Sequence, residues 1–103
     1  MIFFNTEVSH EHIFFEDGKS PADIGYGPNG KFSGENASKY HKNDGGYDDC
    51  IMRKAADAVT WPGKDYCLFG HNCQSWTAAV RKKYKELAKD PKIKEECCKE
   101  KKR

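Results

Sequence analysis

The chain has 103 residues, of which 37% are hydrophobic and 33% charged, and its mean hydropathy is −0.93. A chain this short makes one domain and buries only about two-thirds of its unfolded surface. No apolar run approaches the roughly 20 residues needed to cross a bilayer, and residues 1–12 lack the basic and then apolar order of a secretory signal. A single soluble domain over residues 1–90 with a charged tail at 91–103 is therefore expected, with any export by another route.

The net charge of +2 hides an asymmetry. Residues 1–80 hold 7 basic and 11 acidic side chains, whereas residues 81–103 hold 11 and 5. Nucleic-acid binding calls for cations interleaved with stacking aromatics, and no aromatic follows Tyr84. The basic end is read as a solvated helix face and tail.

Along the chain, Ile2-Phe3-Phe4 suggests a short edge strand. Residues 11–17, with Ile13, Phe14 and Phe15, suggest a stronger one that stops at the turn signal Asp17-Gly18. Residues 23–27 suit the returning strand, broken at Gly27-Pro28-Asn29-Gly30. Residues 31–46 are polar and rich in Gly and Asn, and are read as a long loop. A helix is expected from Tyr47-Asp48-Asp49, whose carboxylates suit a helix N-terminus. Ile51, Ala55, Ala58 and Val59 recur on one of its faces, and Trp61-Pro62-Gly63 ends it. Tyr66-Cys67-Leu68-Phe69 is a short apolar run. A second helix is expected from Cys73 to about Lys89, where Trp76, Val80, Tyr84 and Leu87 form a stripe. Pro91 closes it.

Five cysteines, at 50, 67, 73, 97 and 98, are an odd number. In an oxidising compartment one of the vicinal pair Cys97-Cys98 can bond Cys50 or Cys67, which still leaves an odd thiol. Asn72 is a strong N-cap type, so Cys73 falls in the first turn of the second helix. There the helix dipole favours the thiolate, which is the nucleophile, and the first-turn N–H groups can serve an oxyanion. Of the four histidines, His41 lies in the polar loop, His10 at a turn and His71 too close along the chain to reach the thiol readily. His12 stands on a strand, which fixes its ring as a base for the thiol proton. A zinc site from His10, His12, Cys67, His71 and Cys73 is disfavoured by its irregular spacing, so no metal or cofactor is expected. Gly25-Tyr26-Gly27-Pro28-Asn29-Gly30 lacks the Lys-Ser/Thr ending of a phosphate loop and is read as a turn.

The segments His12-Ile13-Phe14-Phe15, Gly25-Tyr26-Gly27-Pro28 and Leu68-Phe69-Gly70-His71-Asn72-Cys73-Gln74-Ser75-Trp76 together resemble the permuted NlpC-like papain-fold hydrolases. In that group the His strand precedes the Cys helix. The layout is also similar to lecithin retinol acyltransferase-like proteins and to C-terminal toxin domains of Rhs and other polymorphic bacterial toxins. The resemblance covers residues 8–88. It implies an α+β fold, with a small antiparallel sheet packed on a helix bearing an N-terminal Cys. It also implies cysteine-dependent peptidase or amidase chemistry with Cys73 as nucleophile and His12 as base. Asp23, Tyr26 and Glu16 are candidates for the orienting residue, and Asn72 and Gln74 for a third or oxyanion role. The implied partners are a peptide, peptidoglycan or protein amide substrate and a cognate immunity protein, for a secreted or delivered effector. Deamidation, transglutamination and acyl transfer share the first step, and a non-catalytic binding module is the alternative of another class.

Overall fold

The computed structural model describes residues 2–7, 10–36, 38, 41–65 and 72–101. Five strands come first: β1 Ile2–Glu7, β2 His10–Phe15, β3 Asp23–Gly27, β4 Gly30–Phe32 and β5 His41–Tyr47. Helices α1 Asp49–Ala58, α2 Cys73–Ala88 and α3 Pro91–Lys101 follow, with a 3-10 turn at Gly63–Asp65. The architecture is α+β: one antiparallel sheet in the order β4-β3-β2-β1-β5, with helices packed on it. None of the described helices is long and apolar enough to cross a membrane.

Two expectations need correction. Residues 31–46 are not one loop: they complete β4 and supply β5. Neither segment carries an apolar alternation that would mark a strand. Backbone pairing with β3 on one edge and β1 on the other makes them extended. For the same reason β1 is not an edge strand, since it lies between β2 and β5. The run at 66–69 lies outside the described residues.

Strand β2 is buried on both faces. Ile13 joins Tyr26, Met52, Ala55, Ala56, Trp76 and Val80 in the core, with Tyr84 and Leu87 packed against it. The stripe on α2 is thus the face that covers the sheet, and the Trp76 indole N–H donates to the Val59 carbonyl at 2.8 Å. Each helix begins where a short polar side chain satisfies its orphan N–H groups. Asp48 accepts from the Ile51 amide at 3.1 Å. Asn72 accepts from the Ser75 amide at 3.0 Å, while Ser75 Oγ accepts from the Asn72 amide at 2.6 Å, a reciprocal capping box.

The charged segment after residue 90 forms helix α3, and a disulfide joins its Cys97 to Cys50 of α1 with the Cα atoms 5.6 Å apart. An ion pair between Lys54 and Glu96 at 3.0 Å lies alongside. A second tie also starts from α1, where Arg53 gathers the β2–β3 loop. Its guanidinium donates to both Asp17 oxygens at 2.7 and 2.9 Å and to the carbonyls of Pro21 and Lys19.

Candidate functional site

Alternation along β2 sends Glu11 and Ile13 toward the helices and His12 and Phe14 to the opposite face. The contacts follow this split. Ile13 sits in the core, whereas the His12 ring lies 5.1 Å from the Phe14 ring and 5.2 Å from that of Phe32 on β4. His12 is 1% exposed.

The orienting partner of His12 is Asp23. Nε2 and the Asp23 Oδ2 are 2.8 Å apart. Because β2 and β3 pair Phe14 with Asp23, residues 12 and 23 are diagonal neighbours on one sheet face. The same carboxylate accepts the amides of Gly34 at 2.9 Å and Glu35 at 2.7 Å. Burial pushes the Asp23 pKa up, but those two amides and His12 outweigh it and hold the carboxyl below its ordinary range. Of the other candidates, Tyr26 points its hydroxyl into the helix side, donating to the Pro62 carbonyl at 2.9 Å. Glu16 is exposed, and its amide donates to Asp49.

Gly25, which the sequence marks only as part of a Gly-rich motif, completes the seat. Gly25 lies under the imidazole so closely that a Cβ built on it would stand 2.2 Å from Nδ1 and 2.6 Å from Cε1 of His12. The Gly-rich segment is therefore strand β3 and a histidine cradle up to Gly27, and only Pro28-Asn29 make the turn into β4. A glycine opposite a strand histidine is the signal that could have revealed it.

Cys73 is the first residue of α2 and is 3% exposed. Its Sγ accepts the main-chain N–H of Glu11 at 3.4 Å. The β2–β3 pairing ends at Ile13 with Ile24, and beyond it the Glu11 N–H donates to sulfur. The thiol thus contacts the main chain of the residue next to His12, while the imidazole lies on the sheet face away from α2. Asn72 spends its side-chain oxygen on the Ser75 amide, and Gln74 is exposed on the first turn.

His71 and Cys67 lie outside the described residues, as do the side chains of His10 and His41, whose backbones belong to β2 and β5. Among the described residues, the His, Cys, Asp and Glu group near enough to share a metal is Asp48, Cys50 and Cys97. Its two sulfurs are bonded to each other and so cannot both act as thiolate ligands.

No family model matches this chain, and neither a curated protein nor a solved structure is detectably similar to it.

Proposed function

We propose that this protein is a cysteine-dependent hydrolase of peptide or other amide bonds, with the permuted papain-like arrangement that its motifs resemble. The observation that carries the reading is the buried His12–Asp23 pair on β2 and β3, next to a cysteine that opens α2 and rests its sulfur on the amide of residue 11. Nucleophile, base and orienting carboxylate are the three parts such chemistry needs.

In this reading Asp23 fixes the imidazole through Nε2, and His12 receives the Cys73 S–H proton. Sulfur then bonds to the substrate carbonyl carbon, and the C=O electron pair moves to oxygen. The oxyanion faces the first-turn N–H groups of α2, where the helix dipole is positive. Collapse restores the carbonyl, expels the amine with the proton from His12, and leaves a thioester. Water gives a proton to His12 and attacks the thioester, and the thiol leaves with that proton as the acid product is released. The disulfide between α1 and α3 suits an oxidising compartment, in keeping with a delivered effector that meets its substrate outside a reducing cytosol.

The test is an activity screen of muropeptides and protein substrates, comparing wild type with Cys73→Ala and His12→Ala. Cys73→Ala is expected to abolish turnover, and His12→Ala to slow it at least ~100-fold. Full activity in Cys73→Ala would refute the assignment.

A further inference from the structure

The residue preceding His12 has its own set of contacts. The Glu11 amide donates to Cys73 Sγ at 3.4 Å. Its carboxylate accepts the Thr77 hydroxyl and both arms of the Arg81 guanidinium, at 2.8 and 3.1 Å. Cys73, Thr77 and Arg81 are spaced i, i+4, i+8, so they form one row along α2 about 12 Å long. A single strand residue thus grips the whole row, with its main chain at the nucleophile and its side chain on the next two turns.

This grip is not the usual way to fasten a strand to a helix. Ile13, the next residue on the same face, fastens the same two elements by apolar packing, while Glu11 is a charged residue buried between them. A buried carboxylate is costly unless it is paired and hydrogen-bonded. What the charged pair adds over packing is direction, since the forked guanidinium meets the carboxylate in one planar register. Sliding α2 along β2 by a fraction of a turn would break it, whereas apolar contacts tolerate such a slip.

We propose that Glu11 is a positioning residue, which through Thr77 and Arg81 locks the register of α2 against β2 and so sets the Cys73 sulfur relative to the imidazole of its neighbour, His12. This inference rests on the nucleophile and base assigned above and adds the element that holds them in reach. Glu11 touches no reacting atom through its side chain. Its effect is transmitted by the strand, because a shift of the residue 11 main chain moves both the N–H that holds sulfur and the strand that carries the base.

The experiment is the pH–rate profile for iodoacetamide alkylation of Cys73 in the full chain. Peptide mass spectrometry separates Cys73 from Cys67 and Cys98, and circular dichroism monitors folding. Wild type is expected to keep alkylating at pH 6. Glu11→Gln, which preserves side-chain shape and removes the charge, is expected to slow Cys73 alkylation at pH 6 about tenfold while the rate at pH 9 stays within twofold. Arg81→Gln is expected to do the same, and the double variant to be no slower than the slower single, because the two side chains act as one unit. A merely structural pair would lower stability and leave the shape of the profile alone. A folded Glu11→Gln with the wild-type profile, or losses that multiply in the double variant, overturns the proposal. Should Glu11→Gln not fold, Thr77→Val and Arg81→Gln carry the same prediction and the same refutation. A wild-type Cys73 that is inert at pH 6 defeats the nucleophile reading itself, a failure visible without any substitution.

Discussion

Replacing Gly25 with alanine tests the seat of the imidazole directly. The new Cβ would lie 2.2 Å from Nδ1 of His12, and ordinary contact begins at 3.4 Å, so the ring must retreat by about 1.2 Å. It has little room to do so. His12 is 1% exposed, flanked by the buried Phe14 ring, and tied through Nε2 to Asp23. Overpacking of this kind costs about 1–3 kcal/mol. Loss of the hydrogen bond to a charged carboxylate adds about 1.5–3 kcal/mol. A destabilisation of roughly 3–5 kcal/mol is expected, at the upper end of what a domain of this size tolerates. A displacement near 1 Å also costs about 100-fold in rate where proton transfer depends on position. Urea denaturation measures the first effect, and nitrogen-15 NMR of the His12 ring, whose Nε2 proton marks the Asp23 bond, measures the displacement. Gly27→Ala is the matched control, because its Cβ would meet the Phe32 ring at 3.3 Å and Phe32, 40% exposed, can swing away. It should cost under about 1 kcal/mol. If Gly25→Ala matched wild type in stability and in the His12 spectrum, the cradle described above would not exist.

Asp23→Asn should slow turnover on the substrate found by the screen at least ~100-fold, because an amide has one acceptor oxygen for the three donors that Asp23 now serves; an unchanged kcat/KM would refute its orienting role. Arg53 pairs with Asp17 and lowers its pKa from 3.8 to about 2. A carboxyl depressed on folding contributes stability above its unfolded pKa that disappears as pH falls through the folded value, so chemical denaturation followed from pH 4 to pH 2 should show a loss that Asp17→Asn lacks. Reducing the Cys50–Cys97 bond, which closes a separation of 47 residues, should lower stability by up to about 4 kcal/mol on the chain-entropy account. A urea midpoint indifferent to dithiothreitol would exclude that contribution. Cys73→Ala should shift stability by under about 2 kcal/mol, as measured by thermal melting, since it removes one sulfur from the first turn of a helix.

Local chemistry made several features legible in the amino-acid order. Asn72 and Asp48 announce helix starts because a short polar side chain can cap free N–H groups whatever surrounds it. The stripe of Trp76, Val80, Tyr84 and Leu87 announces a covering face by its period alone. Residues 11–15 and 23–27 are extended because β-formers and a turn signal bound them, and a cysteine in the first turn of α2 follows from the cap at Asn72. Strands β4 and β5 were not legible, because their extended state comes from partners distant in sequence rather than from their own side chains. Nor was the choice among Asp23, Tyr26 and Glu16, since a one-residue change of register would have turned Asp23 to the other sheet face. The roles of Gly25 and Glu11 depend on the same registers. A glycine becomes a cradle only when a histidine lies opposite, and a glutamate beside that histidine becomes a clamp only when Thr77 and Arg81 rise on the helix above it. Sequence alone thus determined where α1 and α2 begin and which residue types could do chemistry, because propensity and capping act within a few residues. Tertiary structure alone decided which of those residues meet, because strand register and helix packing join positions as many as 70 residues apart.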